Sequence, residues 1–215
     1  MAFTRITNLT GNASTRASLK LRKIRIFAHI SLDGVISPAA RHEGDDDYVN
    51  GGWTAPYRSA TEEAVAEAQG ANFDLLLGRR TYDIFAGYWP KAGSSPIADG
   101  LNSATKYVAT HRPDSLGWGP IGHLGADILE GVRGVKSKDG PDLIVWGSST
   151  LTSVLLEQGL VDEVLLLVCP VMLGRGKRFF SDSADPRELA LVSTTALSSG
   201  VLMNIYRHVG SLRTE

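Results

Sequence analysis

The pattern of apolar and polar positions divides the chain into two parts. Up to about residue 160, short apolar runs alternate with segments of helical periodicity, and Gly or Pro separates them. Beyond that point apolar runs follow one another without a helical segment. The pattern predicts strands at residues 23–28, 73–77, 106–109, 143–146, 163–169, 187–196 and 201–209, and helices at 59–69, 79–85, 127–133 and 149–158.

The order of these elements predicts the fold class. Alternating strands and helices place helices on both faces of a parallel sheet, and consecutive strands at the end form a hairpin. We therefore predict an α/β fold with a mixed, mostly parallel central sheet, helices on both faces and a C-terminal antiparallel hairpin. Residues 38–57 and 87–100 are rich in Gly, Pro and Ser, and we predict that they are irregular.

Composition limits the class of protein. The chain has 215 residues, 43% of them apolar, and its net charge is 22 − 23 = −1. These values are typical of one soluble globular domain, and the near-zero charge argues against nucleic acid as a partner. Apolar runs are shorter than the roughly 18 residues of a membrane-spanning helix, so we expect no membrane contact. The single Cys169 excludes an intramolecular disulfide and suits a reducing cytoplasm.

Residues 1–22 differ from the rest of the chain. They are basic and rich in Thr, Ser and Asn, and the first acidic residue is Asp33. We predict a flexible basic tail over residues 1–22 and one domain over residues 23–210. An organelle transit peptide and a wrongly assigned start codon are alternative explanations of the same composition.

Three junctions at the ends of predicted strands carry the strongest chemical signal. The first, the Gly78 corner (residues 78–81), begins a helix with Arg79, Arg80 and Thr81. A glycine lets a ligand approach the backbone, and a helix amino-terminus attracts anions. Two arginines there oppose the helix dipole, and a bound phosphate would relieve that conflict. A solvated helix start explains these residues equally well.

The second junction is the Gly147 corner (residues 147–150), in which Gly147 precedes Ser148, Ser149 and Thr150. A helix cap explains these small hydroxyl residues as well as a ligand does. The corner has neither the Gly-Lys-Ser/Thr order of a Walker A loop nor the G-x-S-x-G order of a nucleophile elbow.

The third junction is the Thr110 corner (residues 110–112), made of Thr110, His111 and Arg112. A hydroxyl, an imidazole and a guanidinium suit the 2′-phosphate of an adenosine ribose. The G-x-G-x-x-G fingerprint occurs in none of the three corners, which disfavours a Rossmann domain. Together the corners predict one phosphorylated nucleotide across the carboxyl-terminal edge of the sheet.

The sequence around these corners resembles the dihydrofolate reductase-like superfamily. The motifs that carry the resemblance are FAHISLDGVIS at residues 27–37, LGRRTY at 77–82 and WGSSTL at 146–151, and residues 170–176 support it. Within the superfamily the sequence is most similar to the C-terminal reductase domain of bifunctional riboflavin-biosynthesis (RibD) proteins and its stand-alone relatives. The resemblance spans residues 23–208.

The resemblance implies a three-layer fold and an NADPH-dependent reductase. The backbone near Ala28, His29 and Ile36 would meet the nicotinamide carboxamide, and the Gly147 corner would lie under the pyrophosphate and the nicotinamide ribose. Relatives usually form homodimers, for which the strand-rich C-terminal end is the candidate interface. The implied cofactor-binding residues are Ala28, Ile36, Gly78, Arg79, Arg80, Thr81, Thr110, His111, Arg112, Gly147, Ser148, Ser149 and Thr150.

The sequence does not identify a catalytic acid. Dihydrofolate reductases use an acid on the helix after the first loop, and Glu62 lies on the corresponding predicted helix. A glutamate in a first helical turn also serves simply to balance the dipole. Asp33 matches the family motif, although Asp-Gly is equally a turn signature.

The candidates for substrate binding are His29, Asp33, Trp53, Trp89 and Arg175. Each has an ordinary structural alternative: packing for the two tryptophans, a hydrogen-bonded core imidazole for His29, and a charged turn for Arg175. A metal site is not predicted, because the acidic run at residues 45–47 has no second cluster of ligands beside it.

The function that these signals predict is reduction of a small cyclic substrate, pterin-like or pyrimidine-like, by NADPH. Val35 stands where riboflavin-pathway reductases commonly have Lys after Asp-Gly, which weakens assignment of 5-amino-6-(5-phosphoribosylamino)uracil as the substrate. The alternative is a non-catalytic nucleotide-binding or dimerisation module of the same fold.

Overall fold

A computed structural model describes residues 21–37, 51–180 and 185–213. The predicted tail up to residue 20 and the acidic run at residues 45–47 lie outside the described residues. Among those described, no helix is both long and apolar enough to cross a bilayer. The elements in chain order are β1 (Ile24–Ser31), β2 (Val35–Ser37), α1 (Arg58–Gln69), β3 (Phe73–Gly78), α2 (Arg79–Tyr88), α3 (Pro96–Ser103), β4 (Lys106–Ala109), β5 (Ile121–Gly122), α4 (Ile128–Lys136), β6 (Asp142–Trp146), α5 (Ser149–Glu157), β7 (Glu163–Cys169), β8 (Lys177–Arg178), β9 (Arg187–Ala196) and β10 (Leu202–Ser211).

The central sheet combines parallel and antiparallel strands. Within the described ranges it has eight strands in the order β5-β4-β3-β6-β1-β7-β10-β9. The strands from β5 to β7 run parallel to one another, and β10 pairs antiparallel with both β7 and β9. The predicted mixed sheet with a C-terminal hairpin is confirmed.

Side chains of β1 show how the sheet builds two apolar layers. Ile24 and Ile26 point to the face covered by α4 and α5, whereas Phe27 points to the face covered by α1, α2 and α3. These three side chains are fully buried, and each contributes about 1.5–3 kcal/mol of burial free energy. Helices therefore cover both faces of the sheet, as predicted.

One helix falls in a segment that the sequence predicted to be irregular. α3 occupies most of the second half of residues 87–100 and extends beyond it, with Pro96 in its first turn and the Ser95 hydroxyl accepting a hydrogen bond from Ala98 N–H. Ser at the cap followed by Pro is a helix-start signal. Burial of Ala98 and Leu101 against the sheet outweighs the helix-breaking tendency of Gly100.

The domain begins earlier than the sequence predicted. Arg22, assigned to the tail, is 4% exposed and its guanidinium forms an ion pair with Asp74. Its Nε also donates a hydrogen bond to Pro141 O. The Arg22 side chain, which the sequence assigned to the tail, therefore packs with the domain. At the other end β10 extends to Ser211, one residue past the predicted limit.

Candidate active site

The three corners meet at one edge of the sheet. β4, β3 and β6 are parallel neighbours, so their carboxyl ends lie side by side. Gly78 N–H donates a 2.9 Å hydrogen bond to Ser148 Oγ, and Ser148 N–H donates a 3.2 Å bond to Thr81 Oγ1. The Gly78 and Gly147 corners are thus joined directly, and Ser148 adopts a left-handed backbone (φ 49°) to make the contact.

The amino-termini of the helices at this edge differ from those of α3 and α4. α2 and α5 have no side-chain cap and no acidic residue in the first turn. α3 and α4 are capped by Ser95 and Asp127 and carry Asp99 and Glu130 in their first turns. Unsatisfied amide groups and an uncompensated dipole make the starts of α2 and α5 suitable for an anion.

Arg79 is engaged within the protein. Its Nε lies 2.8 and 2.9 Å from the two carboxylate oxygens of Asp83, and its Nη1 donates to Arg112 O and to Ser115 Oγ. The guanidinium therefore fastens the loop after β4 to α2. Sequence reasoning missed Ser115, because only the fold brings it to Arg79. The exposed cationic side chains that this edge offers to a ligand include those of Arg80 and Arg112.

A small cavity opens beside the Thr110 corner. Its volume is about 110 Å³ and β4, β5 and the loops after them surround it. The sequence did not predict the side of the cavity formed by β5 and the loop after it, because the two residues of β5 are too few to show periodicity. The lining residues are Val108, Thr110, Pro113, Leu116, Gly122, His123, Leu124 and Gly125.

Two of the candidate substrate-binding side chains have a buried nitrogen atom without a hydrogen-bond partner. They are His29 Nε2 and Trp53 Nε1, and the described residues offer neither a partner. The His29 ring stacks on Trp146, with 6.2 Å between centroids. Burial, assisted by the positive charge of Arg58, lowers the pKa of His29 to about 4. His29 is thus a neutral imidazole at neutral pH, and its Nε2 makes no hydrogen bond to the described residues.

Asp33 joins the loop after β1 to the segment after β7 through hydrogen bonds. Its carboxylate accepts hydrogen bonds from Leu173 N–H (3.0 Å), Ser31 Oγ (2.7 Å) and Gly174 N–H (2.7 Å). These bonds, that from Leu173 foremost, lower the pKa of Asp33 to about 2. A carboxylate so engaged is ionised at neutral pH, so the geometry argues against Asp33 as a proton donor.

Glu62 lies on the exposed side of α1. The side chains that α1 buries against the sheet are Thr61, Val65 and Gln69. An acid acting on a ligand held at the sheet would have to occupy that inner face, so the position of Glu62 argues against a catalytic role.

The remaining sequence candidates occupy different surroundings. Trp89 packs edge-on against Phe85 and Tyr88, as a structural aromatic does. Arg175 is exposed in the turn before β8. Ala28 and Ile36 are buried together in the layer beneath α4 and α5.

Comparison with known proteins identifies the relatives of this fold. The model of the RibD C-terminal domain family matches residues 22–203. YyaP, an uncharacterized protein of Bacillus subtilis (strain 168), is 32% identical over 140 residues, which are 63% of this chain and 74% of YyaP.

The solved structures that share the fold include the following two. One is a pyrimidine reductase-like protein from Corynebacterium diphtheriae, with a TM-score of 0.54 and 14% identity over 87% of this chain and 92% of that one. The other is dihydrofolate reductase from Enterococcus faecalis complexed with NADP(H), with a TM-score of 0.55 and 18% identity over 86% of this chain and 96% of that one.

Proposed function

Because this chain belongs to the RibD C-terminal domain family, whose fold is that of reductases, we propose that it is an NADPH-dependent reductase of a small cyclic, pterin-like or pyrimidine-like substrate. The observation that carries the proposal is the pair of uncapped, acid-free helix amino-termini at one sheet edge, joined through Ser148. Such an edge favours a ligand that carries several phosphates.

The residues present fit a phosphorylated dinucleotide. The first-turn amides of α5 would hold the pyrophosphate, and Arg80, His111 and Arg112 the 2′-phosphate. At Gly147 (φ +53°), a Cβ would have one neighbour within 4 Å, Thr81 Oγ1 at 3.7 Å. The glycine therefore leaves an open space at the corner, which we call the cradle. The 110 Å³ cavity beside Thr110 is the place we assign to part of the adenosine. When bound, the cofactor supplies a hydride.

On the substrate side, the chain offers aromatic surfaces and a neutral imidazole. His29 and Trp146 stack at the end of β1, and these are the two rings that we assign to the substrate side. Val35 is fully buried, so it contributes to the core where a riboflavin-pathway reductase commonly has Lys. This supports a substrate other than 5-amino-6-(5-phosphoribosylamino)uracil.

Titration with NADPH tests the proposal. We expect micromolar binding by tryptophan fluorescence, and Gly147→Val should raise Kd at least about tenfold by filling the cradle. Gly159→Val is the matched control: Gly159 also has positive φ (+63°) but lies beyond the far end of α5, so it carries similar backbone strain without the steric block. We expect Gly159→Val to bind NADPH like the unaltered protein. Failure of the unaltered protein to bind at about 1 mM NADPH would contradict the proposal.

Turnover separates the reductase from the non-catalytic alternative. Loss of NADPH absorbance in the presence of dihydropterins or amino-pyrimidinones is the result that a reductase gives. Tight binding with no oxidation by any of these substrates would favour the nucleotide-binding module.

We also propose that the C-terminal hairpin mediates a homodimer. β9 is an edge strand of ten residues, and Leu191 and Val192 on it are each 57% exposed. A long apolar edge is normally covered by another chain. We expect a dimer mass by sedimentation and a monomer for Leu191→Lys, whereas Tyr88→Lys, equally exposed on α2, should remain a dimer. A monomeric unaltered protein would refute this.

A further inference from the structure

A two-stranded ribbon lies beside the main sheet and joins two distant loops. β2 and β8 pair antiparallel, with Val35 opposite Arg178. Phe179 N–H donates to Gly34 O and Leu32 N–H donates to Val171 O, each at 2.9 Å. The loop after β1 and the segment after β7 therefore form one unit, although about 140 residues separate them in the sequence.

Hydrogen bonds of Asp33 hold β8 and the turn before it beside the loop that follows β1. Its carboxylate accepts the amides of Leu173 and Gly174, and Arg178 Nη1 donates to the Asp33 carbonyl oxygen. Backbone and side chain of one residue thus hold both ends of the turn before β8. The position of β8 relative to the sheet edge depends on these bonds.

The ribbon places the cationic side chain of Lys177 at the Gly147 corner. Lys177 Nζ donates a 2.9 Å hydrogen bond to Thr150 Oγ1, in the first turn of α5. An ammonium beside a helix amino-terminus is opposed by the dipole. Lys177 has no carboxylate partner among the described residues, so a hydroxyl alone holds the charge there. An anion between Lys177 and the helix would turn this repulsion into attraction on both sides.

We propose that Lys177 binds the pyrophosphate of the dinucleotide and that Asp33 is the positioning residue that holds Lys177 over the Gly147 corner. The inference rests on the proposed function, because it assigns a further residue to the same cofactor site. Arg79 and Arg178 are already engaged with Asp83 and with the Asp33 carbonyl, so Lys177 supplies charge that these two arginines do not.

NADPH affinity of the full chain, measured by tryptophan fluorescence, tests the assignment. We expect Lys177→Gln to raise Kd about tenfold and to weaken the dependence of Kd on salt, because one charge-assisted contact is lost. Lys177→Arg, which keeps the positive charge, should bind NADPH nearly as tightly as the unaltered protein. Lys138→Gln is the matched control: it removes the same charge from an exposed lysine just before β6, at the opposite edge of the sheet, and should leave Kd within about twofold.

The role of Asp33 is tested by a double-variant cycle. Asp33→Asn should raise Kd several-fold, and adding Lys177→Gln should change Kd little further, because the lysine is no longer held in place. Hydrogen exchange of residues 173–179 should be faster in Asp33→Asn than in Lys177→Gln.

The outcomes separate this inference from the proposed function. If the unaltered protein binds no NADPH, the proposed function fails and the assignment of Lys177 fails with it. If it binds and Lys177→Gln matches Lys138→Gln in affinity and salt dependence, the assignment of Lys177 alone is refuted. Additive effects in the double variant would refute the positioning role of Asp33.

Discussion

Replacing Arg22 by Ala is expected to lower the free energy of unfolding by about 3–5 kcal/mol. The Arg22 side chain is 3% exposed and that of its partner, Asp74, is 12% exposed. The second Asp74 oxygen accepts a hydrogen bond from Thr105 N–H at 3.0 Å. Removal of the guanidinium would leave the Asp74 carboxylate without its ion-pair partner, with the buried Lys106 ammonium as a remaining charge interaction, and Pro141 O would also lose its donor. Breaking a buried pair is far more costly than losing a surface one.

Urea unfolding at neutral pH measures this effect. Arg213→Ala is the control, because that arginine is exposed near the other end of the described chain and should change stability by less than about 0.5 kcal/mol. The double variant Arg22→Met with Asp74→Leu should be more stable than Arg22→Ala, since neither charge then remains buried. A loss below about 1 kcal/mol for Arg22→Ala would show that Arg22 is not part of the folded core.

The strands that the sequence predicted best are those with long apolar runs or clear alternation. β4, β7 and β9 begin and end where the pattern places them. Their local preference agrees with their place in the sheet, so periodicity alone was sufficient. Helix ends were predicted less closely: α2 extends three residues past its predicted end at residue 85, and Ala86 in that added part packs against the apolar layer under the helix.

What the sequence did not predict depends on contacts between distant residues. β2 and β8 have three and two residues, too few for any period, and they exist because Asp33 reaches Leu173 across 140 residues. Arg22 resembles a surface residue until Asp74, 52 positions away, is placed beside it. Neither contact has a local signal.

The same limit applies to the candidate site. Glycine and hydroxyl residues after apolar runs predicted which strand ends would meet, because parallel strands share an edge. They did not show which polar groups are already used within the protein. Arg79 and Asp33 are both engaged in internal hydrogen bonds, whereas Lys177 reaches the Gly147 corner from a segment predicted only as a basic turn.

The buried imidazole of His29 is expected to make the fold sensitive to mild acid. The pKa of His29 is about 4 in the folded chain, and in the unfolded chain it has the ordinary histidine value of 6.5. The unfolded chain therefore binds the additional proton first, and stability falls as pH drops below 6.5 until it approaches 4. The difference of 6.5 − 4 corresponds to a loss of up to about 3 kcal/mol, reduced by partial exposure of the ring.

His29→Phe keeps a ring against Trp146 but cannot be protonated, so it should lose this sensitivity. The measurement is urea unfolding at intervals between pH 7 and pH 4.5, with the variant compared with the unaltered protein at each pH. Carboxylates titrate alike in both chains, so the difference isolates position 29, and its growth towards acid is the expected result. His111→Gln, which removes an exposed imidazole, should follow the unaltered protein. A difference that stays constant with pH would contradict the lowered pKa of His29, because the imidazole would then accept a proton in the folded chain as readily as in the unfolded one.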